Sequence, residues 1–120
     1  MKVVITAQGN EVSSEVDLRF GRAANLIVMD TETGDFQTHS NTTNLNAAQG
    51  AGIQTGRNVA ELGVEAVITG NVGPNAMKTL KAAGVKVFPA EKQTVAEAVE
   101  SFKAGNLKEV DQANVDGHWV

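Results

Sequence analysis

The chemistry available to this chain starts with its arginines. There are three, Arg19, Arg22 and Arg57, and each lies in or beside a segment rich in small residues. Arg19 and Arg22 occupy a long polar stretch, 8–24. Arg57 sits one turn inside a helix that Gly50-Ala51-Gly52 would open. A further small-residue run, Gly70-Asn71-Val72-Gly73-Pro74-Asn75, would open a second helix. Small residues let a ligand approach backbone N–H groups, and helix N-termini carry partial positive charge. Each such end contributes about 0.3–1 kcal/mol toward an anion at an exposed site. Taken singly, each glycine reads equally well as a tight strand-to-helix turn. Both turns coincide with every arginine, and this predicts a pocket for a compact anion built by Arg19, Arg22, Gly50, Gly52, Arg57, Gly70, Asn71, Gly73 and Asn75.

Several identities for that anion are excluded. Residues 50–56 read G-x-G-x-x-x-G, one position away from the dinucleotide fingerprint, and follow no strong strand. Residues 70–75 lack the G-K-[ST] ending with which a P-loop holds terminal phosphates and magnesium. Cysteine is absent, which removes disulfides, thiolate zinc sites, cysteine-ligated iron–sulfur clusters and thiol nucleophiles. Neither histidine has a partner at metal-ligand spacing. His39 shares the parity of Asp35 and Gln37 on a strand and is expected to face solvent. It stays a candidate metal ligand or hydrogen-bond donor because it precedes an Asn-rich loop. His118 lies beside Trp119 near the C-terminus and carries no assigned role. Glu11, Glu15 and Asp17 alternate along a loop, and Glu61, Glu65, Glu97 and Glu100 read as solvated positions. No acid–base pair emerges, so the reading is of a non-enzyme. A two-metal nuclease would want a carboxylate on the first strand, and residues 2–6 contain none.

The elements that must position these residues follow from pattern. Strands are expected over 2–6, 25–30, 35–40, 64–69 and 85–89, the second and third forming a hairpin around Gly34. Helices are expected over 53–62, 74–83 and from Thr94 to Gly105. Pro74 suits a first helical position, and Thr94 with Glu97 has capping-box spacing. Each helix ends at a glycine, Gly63, Gly84 or Gly105, where left-handed geometry is cheap. An antiparallel half followed by αβ units implies a mixed sheet with parallel strands at its centre and helices on its faces. In such sheets ligands sit beyond the carboxyl ends of the parallel strands. The 120 residues suffice for a single domain, placed at 1–107, with 108–120 a tail.

Composition narrows the partners. A net charge of −4 disfavours a nucleic-acid surface. No apolar run approaches the roughly 18 residues of a membrane span, and the N-terminus has no signal-peptide pattern, so a cytoplasmic location is expected. Phe88, Phe102, Met29 and Met77 are expected in the core.

The same residues resemble a known family. Ser14-Glu15-Val16-Asp17 with Arg19-Phe20-Gly21-Arg22-Ala23 is similar to the S-x-v-d-x-R-F-G-R segment of the dinitrogenase iron–molybdenum cofactor biosynthesis family. Gln49-Gly50-Ala51-Gly52-Ile53-Gln54 resembles its "gaGiq" helix opening, and Val67-Ile68-Thr69-Gly70-Asn71-Val72-Gly73-Pro74-Asn75-Ala76 its "vitGnvGpnA" stretch. The matches span about residues 2–107 in the family's order. The resemblance implies an α/β, ribonuclease-H-like fold, with a five-stranded mixed sheet and helices on both faces. It implies a binding or carrier role for an anionic metal–sulfide cluster of molybdenum–copper or iron–molybdenum type. Short, single-domain members that hold a molybdenum–copper sulfide cluster non-covalently are the nearest pattern. Many relatives carry a cysteine after F-G-R; here Ala23 stands there, which favours a cluster bringing its own sulfide ligands. Two other readings stay open: an interaction module working with a MinD-like ATPase, as family members tend to accompany, and an enzyme acting on a small phosphorylated metabolite.

Overall fold

The computed structural model describes residues 1–41 and 51–113. β1 (Lys2–Ala7) is followed by a one-turn 3-10 helix (Phe20–Arg22), β2 (Asn25–Asp30) and β3 (Phe36–Ser40). Then come α1 (Ala51–Glu61), β4 (Ala66–Thr69), α2 (Pro74–Ala82), β5 (Lys86–Pro89) and α3 (Val95–Lys103). The five strands form one sheet in the order β3-β2-β1-β4-β5. β1–β2 and β2–β3 pair antiparallel, whereas β1–β4 and β4–β5 pair parallel. The expected mixed α/β sheet is therefore present.

Its central strands are buried on both sides, as strands covered by crossover helices must be. On one face Val3, Ile5, Ile27, Met29 and Ile68 share a core with Val95, Ala98 and Val99 of α3. On the other, Val4, Leu26, Val67 and Val87 pack with Val59 of α1 and Ala76, Met77 and Leu80 of α2. Gly56 brings these two helices together: a Cβ there would lie 3.1 Å from the Thr79 side chain. Phe88 and Phe102 meet edge-to-face on the α3 side, with centroids 4.9 Å apart, a favoured aromatic geometry.

Local signals are followed closely. Gly63, Gly84 and Gly105 all take positive φ after their helices, satisfying orphan carbonyls at little steric cost. Pro74 occupies the first turn of α2. Several bounds differ by a residue or two, and one of them bears on the site: α1 starts at Ala51 rather than 53, so Gly52 is a helical residue, not part of an opening loop. β3 is the sheet edge, where His39 is exposed as expected, along with Gln37 and Phe36. Beyond α3, Val110 donates its N–H to the Val87 carbonyl at 2.9 Å, so residue 110 lies along β5. His118 and Trp119 fall outside the described residues. No helix among the described residues is long and apolar enough to cross a membrane.

The start of α3 has a pH signature. Thr94 donates its backbone N–H to the Glu97 carboxylate at 2.9 Å and its hydroxyl at 3.0 Å. These bonds hold the Glu97 carboxyl below its ordinary value of 4.5. A carboxyl depressed in the folded state contributes stability that is full above its unfolded value and lost as pH falls through the folded one. Glu97→Gln is thus expected to be less stable than the parent at neutral pH. In urea titrations the difference should shrink as the pH is taken below 4.5; a gap that widened in acid would contradict the assignment.

Candidate functional site

The ends of β1 and β4 carry two buried hydroxyls, Thr6 and Thr69. The Thr6 hydroxyl donates to the Asp17 carbonyl at 2.7 Å and lies 2.6 Å from the Thr69 oxygen. A carbonyl can only accept, so Thr6 gives it its single proton and Thr69 supplies the other. The Asp17 N–H returns to the Thr6 carbonyl at 2.8 Å. The loop after β1 is in this way stitched to the sheet just where parallel-sheet ligand sites form.

From that anchor the chain reaches the segment after β4. Arg19 and Asn71 form an isolated parallel bridge. Asn71 donates its N–H to the Leu18 carbonyl at 2.6 Å, and Phe20 donates to the Asn71 carbonyl at 3.2 Å. Gly70 makes this approach possible, since a Cβ there would stand 2.5 Å from the Leu18 oxygen. Two of the three expected segments do converge. Their chemistry differs from the simple cradle in one respect. The Asn71 N–H is spent on Leu18 and is therefore not an open donor toward a ligand, and the smallness of Gly70 serves the approach of Leu18. What faces outward is the first turn of α2, where Gly73 is the N-cap, no side chain caps it, and Pro74 has no N–H to offer. Gly73 is buried and Asn75 exposed.

The third segment is tied in by buried amides and hydroxyls. Thr55 of α1 donates to the Gly21 carbonyl at 3.2 Å. Asn41 donates to the Ala23 carbonyl at 2.9 Å and to Thr55 at 3.1 Å, and Asn58 donates to Asn41 at 3.1 Å. Together these fasten α1 to the 3-10 turn whose last residue is Arg22, a half-buried side chain. Gly52 is buried in the first turn of α1, and Gly50 lies outside the described residues. Arg57 is on the outward face of α1 with Gln54 and Glu61, all exposed. His39 is exposed on β3 opposite Leu26, beside Asn58 and Glu61 of α1. Among the described residues no three His, Cys, Asp or Glu side chains gather as a metal-binding group.

Asp17 is the residue that sequence reasoning passed over. Its side chain is 4% exposed, Oδ1 accepts the Arg19 backbone N–H at 3.0 Å, and the Arg19 Nε stands 3.5 Å from the same oxygen. The D-x-R spacing was the available signal, because an Asp side chain commonly accepts the N–H two residues on. An open cleft of about 720 Å³ lies at the other end of the sheet, among Lys2, Asp30, Asp35 and Phe36. With two carboxylates against one lysine it gives an anion no net attraction.

Comparison with known proteins adds a family and close structural likenesses. A family model described as "Dinitrogenase iron-molybdenum cofactor" matches residues 1–105. The apo form of the orange protein from Desulfovibrio gigas superposes with a TM-score of 0.92 at 35% identity, over 95% of this chain and 96% of that one. A Thermotoga protein solved by NMR as a candidate NifB protein gives a TM-score of 0.83 at 41% identity, covering 97% and 98%. A protein of Methanocaldococcus jannaschii described as uncharacterised is 26% identical over 113 residues, 92% of each chain.

Proposed function

Because the chain belongs to the dinitrogenase iron–molybdenum cofactor family, we propose that it is a non-enzymatic carrier whose cargo is an anionic metal–sulfide cluster, of molybdenum–copper sulfide type, held without covalent bonds. The observation that carries this reading is the Arg19–Asn71 bridge. It sets a cationic loop beside an uncapped helix N-terminus beyond the ends of β1 and β4. Helix N-termini favour anions, and the cluster would present sulfide toward that turn, Arg22 and the Asn75 side chain. With no cysteine in the chain and no triad of ligating side chains among the described residues, the donor set suits a cluster whose metals are already saturated by soft sulfide ligands. It does not suit a bare ion.

The test is anaerobic reconstitution of the protein with tetrathiomolybdate and copper(I), followed by gel filtration with absorbance and elemental analysis of the protein peak. Co-eluting colour at a fixed molybdenum-to-copper ratio is the expected result. A folded but colourless, metal-free peak would remove the autonomous carrier. Arg22→Ala combined with Arg57→Ala is expected to lower retention about tenfold without unfolding the chain. Each exposed charge close to an anion is worth about 0.5–1 kcal/mol in water, and roughly 1.4 kcal/mol is a factor of ten. Since Arg57 points outward from α1, Arg22→Ala alone should account for the larger share.

A further inference from the structure

We propose that Asp17 is a positioning residue for this site: its buried carboxylate, fixed at the end of β1, restrains the guanidinium of Arg19 beside Asn71 and the first turn of α2. The inference rests on the carrier reading for its consequence, and on geometry for its substance. The Asp17 backbone is held from both sides, its N–H on the Thr6 carbonyl at 2.8 Å and its carbonyl under the Thr6 hydroxyl at 2.7 Å. That fixes where Oδ1 stands. The turn it makes with the Arg19 N–H would be served equally by asparagine, whose Oδ1 accepts the same bond. A neutral amide would also avoid the desolvation that a buried carboxylate suffers.

What the charge adds is the guanidinium. Arg19 is 58% exposed, so the pair is screened and contributes little to folding; its consequence is orientation. Contact through Nε engages the inner edge of the fork and leaves both terminal amino groups without an acceptor among the described residues. The Arg19–Asn71 bridge places its backbone two residues before the Gly73 cap of α2. An arginine already ordered in this way loses less rotamer freedom on meeting an anion, and its planar fork is suited to bridging two acceptor atoms.

A double-mutant cycle on retention of copper–tetrathiomolybdate by the full chain tests this. Arg19→Ala is expected to lower retention about tenfold in the parent and less than about threefold in the Asp17→Asn background, where Arg19 is no longer aimed. Direct repulsion between Asp17 and the cargo cancels in the cycle. An equal or larger loss in the Asp17→Asn background would mean that Asp17 competes for Arg19, and would overturn the positioning role. A second measurement needs no cargo. The heteronuclear NOE of the Arg19 Nε–H, assigned by its disappearance in Arg19→Lys, should report a rigid group in the parent, with Arg57 mobile as the internal control. In Asp17→Asn it should fall to the Arg57 value. If the parent retained no cluster, the carrier reading would fail while the NOE still decided the positioning role: a mobile Arg19 refutes it, a rigid one upholds it. If Asp17→Asn did not fold, the parent NOE alone would decide.

Discussion

Phe20→Ala is expected to destabilise the protein by about 3–5 kcal/mol, the usual range for emptying a buried aromatic site. Phe20 is the largest fully buried side chain among the described residues, with no exposed surface. It belongs to the core cluster that also contains Val4, Leu26, Val59, Val72 and Ala76, so it joins sheet, α1 and α2. It stands between two candidate site residues, Arg19 at the N-cap of the 3-10 turn and Arg22 at its end. The ring is thus the anchor that lets two arginines stand at the surface in fixed positions. Urea unfolding should show a lower midpoint with an unchanged slope, the mark of lost stability rather than an altered unfolded state. Phe20→Met, closer in volume, should recover most of the loss. A deficit under about 1 kcal/mol for the alanine variant would mean that the turn is held by its hydrogen bonds and not by the ring.

Gly70→Ala is the second large effect, expected at about 3 kcal/mol, and it acts on the site directly. The added Cβ would stand 2.5 Å from the Leu18 carbonyl oxygen and 2.6 Å from the Leu18 Cα. Those are backbone atoms, and they cannot swing aside as a side chain would. The clash is relieved only by moving the 17–20 loop away from β4. That movement lengthens the Asn71–Leu18 and Phe20–Asn71 hydrogen bonds, each worth roughly 1 kcal/mol net, on top of about 1–3 kcal/mol for overpacking. Thermal denaturation measures the first consequence. The second is read below the melting range: the variant should fail to retain copper–tetrathiomolybdate while still folded, because Arg19 leaves the first turn of α2. Gly63→Ala is the control. Gly63 has φ +68 and open space around its missing Cβ, so it should cost about 1–2 kcal/mol for left-handed geometry and leave retention intact. Equal retention by Gly70→Ala and the parent would show that the bridge does not build the site.

The strand and helix pattern is largely open to reading in the residues. The β-branched run of β1, the Thr94–Glu97 cap, Pro74 at the start of α2 and the three terminating glycines each act within a few positions. Such short-range preferences survive without knowledge of the rest of the chain. Composition alone also constrains the class of ligand chemistry, since a chain without cysteine cannot supply thiolates wherever it folds. Three motif segments, in order along the chain, mark the family that the comparison establishes.

The site itself is only partly legible. That Arg19 and Gly70–Asn71 meet follows from where loops of a parallel sheet converge, and the bridge bears out that convergence. The reason for Gly70, however, is Leu18, a residue far earlier in the chain. Asp17 looks like one of several alternating loop carboxylates until Thr6 draws its backbone under the sheet end and buries it. That Arg57 stands on the exposed side of α1 is likewise not legible locally, because it follows from the Thr55, Gly56 and Val59 side of that helix being the one taken by the core. Local composition sets which elements form and which ligand chemistries are possible. Which polar groups are spent inside the protein and which are left for a ligand is decided by contacts between distant segments, since only close packing determines whether an N–H or a carboxylate faces a partner or water.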